Sequence, residues 1–220
     1  VIPQFLAIIS DYNALQTGLV IFWMGVPAFL LMPVLPFMIR RIHIRIAVGA
    51  GMFIMALSCF VSINLTAESG GGVFTESQFL RGIGMILTMM FLNQATVASV
   101  AKEDAGDASG IFNAARNLGG SFALAGLASF QDQRQWHHSR RMEETLNANS
   151  PRLQEYLDTM TASLGNPQAA LEMLSGIIQR DAFVMTYNDV FFAMGAIPLV
   201  TVPLVLFLKP LPKNVSLSMH

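Results

Sequence analysis

The chain alternates between long uncharged runs and short polar breaks, and this alternation sets the first expectation. No Asp, Glu, Lys or Arg occurs from Tyr12 to Ile39, from Ile46 to Ala67, from Gly82 to Ala101 or from Val190 to Leu208. Each run is long enough to hold the ~20 residues with which a helix crosses ~30 Å of hydrocarbon. A further apolar run, Ala108 to Phe130, is interrupted by one charge, Arg116. The pattern predicts an all-α membrane protein with transmembrane helices over residues 18–39, 46–67, 80–101, 108–130 and 183–208. Residues 1–10 are apolar but too short to span, and read as the tail of a truncated transmembrane helix closed by the polar turn Asp11 to Thr17.

The polar breaks add orientation. The first span carries Pro27, Pro33 and Pro36, which predicts a kinked helix of a kind tolerated where neighbouring helices re-satisfy the freed carbonyls. It ends on the basic stretch Arg40 to Arg45, whereas the next loop, Thr66 to Ser77, holds Glu68 and Glu76 but no Lys or Arg. The positive-inside rule places the first loop in the cytoplasm and the second outside. Alternation then makes 131–182 a long extracytoplasmic helical loop and 209–220 a cytoplasmic tail. Within the long loop, Ser150-Pro151 and Asn166-Pro167 each set a capping side chain before a proline, the signature of a helix start.

Composition agrees with a membrane solvent: 53% of residues are hydrophobic and 12% charged, with a mean hydropathy of +0.52. A net charge of -1 offers no basic face for nucleic acid. The single cysteine, Cys59, lies in an apolar span and reads as a small core hydrophobe. The chain opens on Val1 without an initiator methionine and reads as part of a longer protein.

Chemistry is sparse, so each intramembrane polar group carries weight. Arg116 falls ~12 Å from the expected cytoplasmic edge of its span at 1.5 Å per residue, a depth at which a charge needs partners. It either lines a water-filled cavity, binding substrate or exchanging ion-pair partners, or hydrogen-bonds structurally to neighbouring helices. Asn113 shares its face and Asn117 flanks it; Asn93 and Gln94 are further cavity candidates. Gly106-x-x-x-Gly110, and Gly119 with Gly120, give the same helix small faces for close packing. Trp23 and Phe112 can wall a pocket for flat lipophilic compounds. Asp189, beside Tyr187, is placed to exchange a proton at an external mouth or simply to cap a turn. Arg81 is expected to snorkel or pair at the outer interface. His137 and His138 are adjacent and lack a completing carboxylate or cysteine, so no metal site is read there. No Walker A loop and no nucleophile–base set occurs, which argues against direct ATP drive and against an enzyme.

Several strings resemble a known group. Pro3-Gln4-Phe5-Leu6 with Tyr12-x-Ala14-x-x-Thr17-Gly18, then Leu80-Arg81-Gly82-Ile83-Gly84, Phe91-Leu92-Asn93, and Ala108-Ser109 with Asn113, Arg116 and Gly119-Gly120-Ser121 follow one another in a familiar order. Asn188-Asp189-Val190-Phe191 and Lys209-Pro210 continue it. Together they resemble the fourteen-span drug:proton antiporters of the major facilitator superfamily, the EmrB-type exporters. The resemblance implies a C-terminal six-helix bundle with its first helix mostly missing, driven by a proton gradient with no bound cofactor. It also implies a drug-like small-molecule substrate, surrounding membrane lipid, the N-terminal half of the same transporter, an EmrA-like membrane-fusion adaptor, and residence in a bacterial inner membrane. Two departures stand out. Pro36, Arg40 and Arg41 replace the usual Gly-x-x-x-Asp-Arg gate loop, and Trp23 stands where relatives often have proline.

Overall fold

The computed structural model describes residues 1–145 and 151–208 and contains eight α-helices among them. Helix α1 (Ile2–Ile9) buries Ile2, Phe5, Leu6 and Ile9, an i, i+3, i+4, i+7 stripe that turns its whole apolar face inward. It stops at Asp11, whose φ of 55° is left-handed, a conformation a short polar side chain tolerates. Asn13 then opens α2 (Ala14–Leu31) through a capping box: its side chain accepts from the Gln16 N–H at 2.9 Å and Gln16 returns the bond to the Asn13 N–H at 2.9 Å.

The first long apolar run is not one helix. α2 stops at Leu31, residues 32–34 turn, and α3 (Leu35–Arg41) restarts with Pro36 in its first turn. Pro33 sits in that turn, where its missing N–H and its ring would have broken an α-helical ladder. Pro27, by contrast, stays inside α2 and is buried. α4 (Ile44–Phe60) ends seven residues short of the expected Ala67, and an irregular stretch with a 3-10 turn at Gly71–Val73 leads into α5 (Phe74–Ala98).

The remaining boundaries follow backbone chemistry rather than hydropathy. α6 runs unbroken over Ala105–Thr145, 41 residues and ~60 Å, so the expected junction between residues 130 and 131 falls within a continuous helix. No Gly or Pro occurs between Leu127 and Thr145 to stop it. α7 (Pro151–Leu164) ends on Gly165, whose φ of +70° is the left-handed position glycine takes without strain. Asn166 then caps α8 (Pro167–Thr201), accepting from the Gln168 N–H at 2.9 Å. The helix start expected at residue 167 and the span expected from 183 are therefore one helix, which continues as a 3-10 turn, Val202–Phe207. Ser150, the other expected cap, lies outside the described residues.

Two buried clusters hold the bundle. One, near the 61–73 connection, joins Phe5, Leu6 and Ile9 to Phe74, Tyr187 and Phe191; the other, near the 42–44 turn, joins Ile44 and Val48 to Leu87, Phe91 and Val205. Between them, backbones touch. A Cβ on Gly84 would lie 2.6 Å from the Gly51 carbonyl, one on Gly51 would lie 2.9 Å from the Gly84 carbonyl, and one on Gly82 would collide with the Met24 carbonyl. α5 is thus pressed against α4 by one glycine and against α2 by another.

Outside these contacts the surface is apolar. Phe29 is 78% exposed, Phe122 78% and Val200 76%, an apolar exterior on a scale that water does not favour. By length and composition, Ala14–Leu31 and the continuous segment Pro167–Phe207 can each cross a bilayer; Ile44–Phe60 is apolar but shorter.

Replacing Gly84 by Val in the full-length protein is expected to cost about 1–3 kcal/mol through overpacking at the α4–α5 contact. Gly176→Ala, on a helical position with nothing within 4 Å, leaves the melting midpoint in detergent unchanged or slightly raised. Equal melting of the two variants would show that the glycine contact is not a constraint.

Candidate functional site

The polar side chains divide into those that fasten helices together and those left open. Fastening is concentrated where α1, α4 and α8 converge near the 61–73 connection. Arg180 of α8 donates to the Ile9 carbonyl at 2.8 Å and to the Ala67 carbonyl at 2.9 Å. Ile9 is the last residue of α1, so one of these bonds satisfies a carbonyl that the helix itself leaves free. Asn188 clamps Leu65 from both sides, accepting from its N–H at 2.9 Å and donating to its carbonyl at 3.1 Å. The Tyr12 hydroxyl accepts from the Gly71 N–H at 3.0 Å, and Ser10 donates to the Ser69 carbonyl at 2.9 Å.

A second fastening joins α6 to α8. Asp189 Oδ2 lies 2.7 Å from Arg134 and 2.6 Å from His138 Nε2, and these two residues are one helical turn apart on α6. Asp189 is thereby level with residues 134–138, beyond the expected end of the 108–130 span. Its neighbour Tyr187 is fully buried, its ring edge-on to Phe5 at 5.2 Å and stacked on Phe183 at 6.4 Å. Two positions apart in the chain, these residues are in different settings: one is in a half-exposed ion-pair cluster, the other in the core. His138 belongs to the ion-pair cluster, and among the described residues no group of three or more His, Cys, Asp or Glu is placed to hold a metal ion.

The open set centres on α6. Arg116, Asn113 and Asn117 are exposed, and every residue from Asn113 to Gly126 is exposed with them. Arg116 has no ion pair among the described residues. Phe112 is half-buried. On α5, Asn93 is exposed and Gln94 half-buried, and among the described residues no hydrogen bond joins either to the Arg116 group. A Cβ on Gly106, Gly110, Gly119 or Gly120 would meet nothing within 4 Å, so among the described residues they pack closely against no neighbour. Backbone approach falls instead at Gly51, Gly82 and Gly84. Trp23, 42% exposed, lines a groove of about 300 Å³ between α2 and the 71–75 segment.

Arg81 is half-buried on α5. Its guanidinium donates to the Cys59 sulfur at 3.6 Å and stands 6.0 Å from the centre of the Phe191 ring, directed among α4 and α8. The Arg180 and Asn188 clamps were also not legible as contacts, because their partners are backbone groups of an irregular loop.

Comparison with known proteins gives this arrangement its family. The sequence model of the Major Facilitator Superfamily matches residues 1–124, more than half of the chain. The chain belongs to the Major Facilitator Superfamily. It is similar to the colistin resistance protein EmrB of Acinetobacter baumannii, 26% identical over 94% of this chain and 41% of that protein. The multidrug export protein EmrB of Escherichia coli K12 is 26% identical over 95% of this chain and 41% of its own length. The fatty acid resistance protein FarB of Neisseria gonorrhoeae is 21% identical over 95% of this chain and 41% of its own length. The chain thus spans about two fifths of these relatives. The superfamily is one of membrane transporters, and the all-α fold and exposed apolar helices of this chain agree with the sequence expectation.

Asn188→Leu is expected to cost about 1–3 kcal/mol by leaving the Leu65 backbone groups unpaired, read as a lower melting midpoint of the full-length protein. Asp189→Asn shifts that midpoint by no more than about 0–1 kcal/mol, because the ion pair is part-exposed, yet it speeds amide hydrogen exchange in residues 131–141. Unchanged exchange there would show that the cluster does not hold α6 to α8.

Proposed function

We propose that the chain is the C-terminal half of a proton-coupled multidrug exporter that moves amphipathic or lipophilic compounds outward by alternating access. The observation that carries this reading is α6. Its polar strip of Asn113, Arg116 and Asn117 is exposed and, among the described residues, without an ion-pair partner, in a helix whose residues 113–126 are all exposed. A charge on such a surface is costly in lipid and compatible with a water-filled cavity between two bundles. Arg116, Asn113 and Asn93 face that cavity, with Gln94, Trp23 and Phe112 as further wall residues. The glycine faces of α6 meet the N-terminal bundle, and Asp189 is the weaker candidate for an external proton-exchanging group.

The names of the relatives support the substrate class: multidrug export, colistin resistance and fatty acid resistance. The short basic stretch Arg40 to Arg45 supports a cytoplasmic placement for that loop and for the C-terminus, in a bacterial inner membrane. The α6–α7 region, carrying Trp136 and Arg140 in a stacked pair 5.1 Å apart, is a surface on which an EmrA-like adaptor can dock. A second reading, export of one specific metabolite, is favoured by similarity to the cephamycin export protein of Amycolatopsis lactamdurans, 34% identical over 54% of this chain and 25% of that protein. A substrate screen separates the two. A membrane scaffold or receptor without transport is the third, and gradient-dependent dye efflux excludes it.

Arg116→Ala in the full-length protein is expected to reduce proton-gradient-dependent efflux tenfold or more at unchanged membrane abundance. Full efflux by that variant would remove Arg116 from the pathway.

A further inference from the structure

The groove beside Trp23 is built from separate stretches of chain. Its first wall is one face of α2, where Gln16, Leu19, Val20 and Trp23 recur at i, i+3, i+4 and i+7. Its second wall is the start of α5 with the 3-10 turn before it. Tyr12 closes the end between them, its hydroxyl accepting from the Gly71 N–H at 3.0 Å. Two glycines give the groove its shape. A Cβ on Gly71 would lie 2.6 Å from the Val20 side chain and 2.9 Å from the Tyr12 ring, so the walls meet there. A Cβ on Gly72 would meet nothing within 4 Å, so the space opens there. The volume of about 300 Å³ is at the lower end of the range for small-molecule sites.

The lining is graded from polar to apolar. At the Tyr12 end, hydrogen-bonding capacity is left over. The Tyr12 hydroxyl accepts one bond and still has its own proton to give. Gln16 uses its amide oxygen on the Asn13 N–H, and its N–H donors have no partner among the described residues. The Thr75 hydroxyl has none there either. At the other end, Leu19 and the half-exposed ring of Trp23 offer a flat apolar surface. No lining side chain is charged. Asp11 and Glu76 stand next in sequence to Tyr12 and Thr75, but both are exposed, where a carboxylate acts only weakly through water.

We propose that this groove is a ligand site for a small, uncharged, fused-ring aromatic compound that carries a hydroxyl or carbonyl on its edge. The rings lie against Trp23 and Leu19, and the polar edge meets Tyr12, Gln16 and Thr75. The lining selects this class on two counts. An ion would lose hydration without meeting a counter-charge. A bare hydrocarbon would cover the polar end and leave its hydrogen bonds unmade. The proposal deepens the export reading and rests on it for one point: with the 66–77 loop external, the groove is an outer station from which the compound leaves.

The test is equilibrium binding of radiolabelled naphthol, naphthoate and naphthyltrimethylammonium to the purified full-length protein, since the three share their rings and differ in charge. The wild type is expected to bind naphthol about tenfold more tightly than either ion. Gly72→Phe, which fills the open space, lowers naphthol binding about tenfold, whereas Gly72→Ala leaves it unchanged. Trp23→Leu lowers it about fivefold. Gln16→Glu keeps the capping box, because a carboxylate there accepts the same Asn13 N–H. It weakens naphthol binding and raises affinity for the cation about threefold. No preference for naphthol in the wild type, or naphthol binding that survives Gly72→Phe, overturns the site. If Gly72→Phe does not accumulate, Trp23→Leu and Gln16→Glu carry the comparison, and affinities unaltered by both overturn it. Proton-gradient-driven export of naphthol in vesicles is measured alongside. Selective binding without export sinks the export reading alone, whereas export with binding unaltered by Gly72→Phe sinks the groove alone.

Discussion

Backbone contact at Gly51, Gly82 and Gly84 is the constraint on which the bundle depends. At 100° per residue, Gly82 and Gly84 point to opposite sides of α5, one toward α2 and the other toward α4. A single turn of one helix therefore fixes two interhelical distances. Membrane helices gain little from burying apolar groups against one another, since lipid is equally apolar, so close van der Waals approach is a principal source of association. Arg81 and Gln78 fall on the arc of α5 between the two glycine contacts.

The polar fastenings take over where packing ends. Arg180, Asn188 and Tyr12 all bond backbone groups of α1 or the 61–71 stretch, which is the part of the bundle with least regular structure. A loop's free N–H and carbonyl groups are expensive to leave unpaired when covered, and side chains from a long regular helix are well placed to satisfy them. Packing and fastening thus act on different parts of the same elements, one along the helix interiors and one at their ends.

Much of this was legible in the sequence, for identifiable reasons. Asn166 with Pro167, and the prolines of the first apolar run, act locally, through caps and kinks that depend on a few consecutive residues, and hydropathy runs report lipid exposure directly. The apolar pattern was a poor guide to helix ends. Residues 131–145 and 167–182 change from apolar to polar without any residue that breaks a helix, so the environment changes while the backbone does not. Small-residue spacing was ambiguous in the same way: α6 has the more regular glycine pattern, yet the close contacts inside this chain are at Gly51, Gly82 and Gly84. Which small face meets a neighbour depends on which neighbours are present. The contact of Arg81 with Cys59 was hidden because its partner lies on another helix, 22 residues away in the chain.

The unbroken length of α6 has a mechanical meaning. A helix with an intact hydrogen-bond ladder is stiff, and this one is held to α8 at Arg134 and His138 while Arg116 lies some twenty residues, or ~30 Å, further along. Tilting such a rod by ~5° about the held point displaces the guanidinium by ~2.6 Å, by the same rise per residue. That is comparable to the length of a hydrogen bond. A small adjustment among the charged groups at one end is therefore geared to making or breaking contacts at the other, with the helix itself as the only moving part.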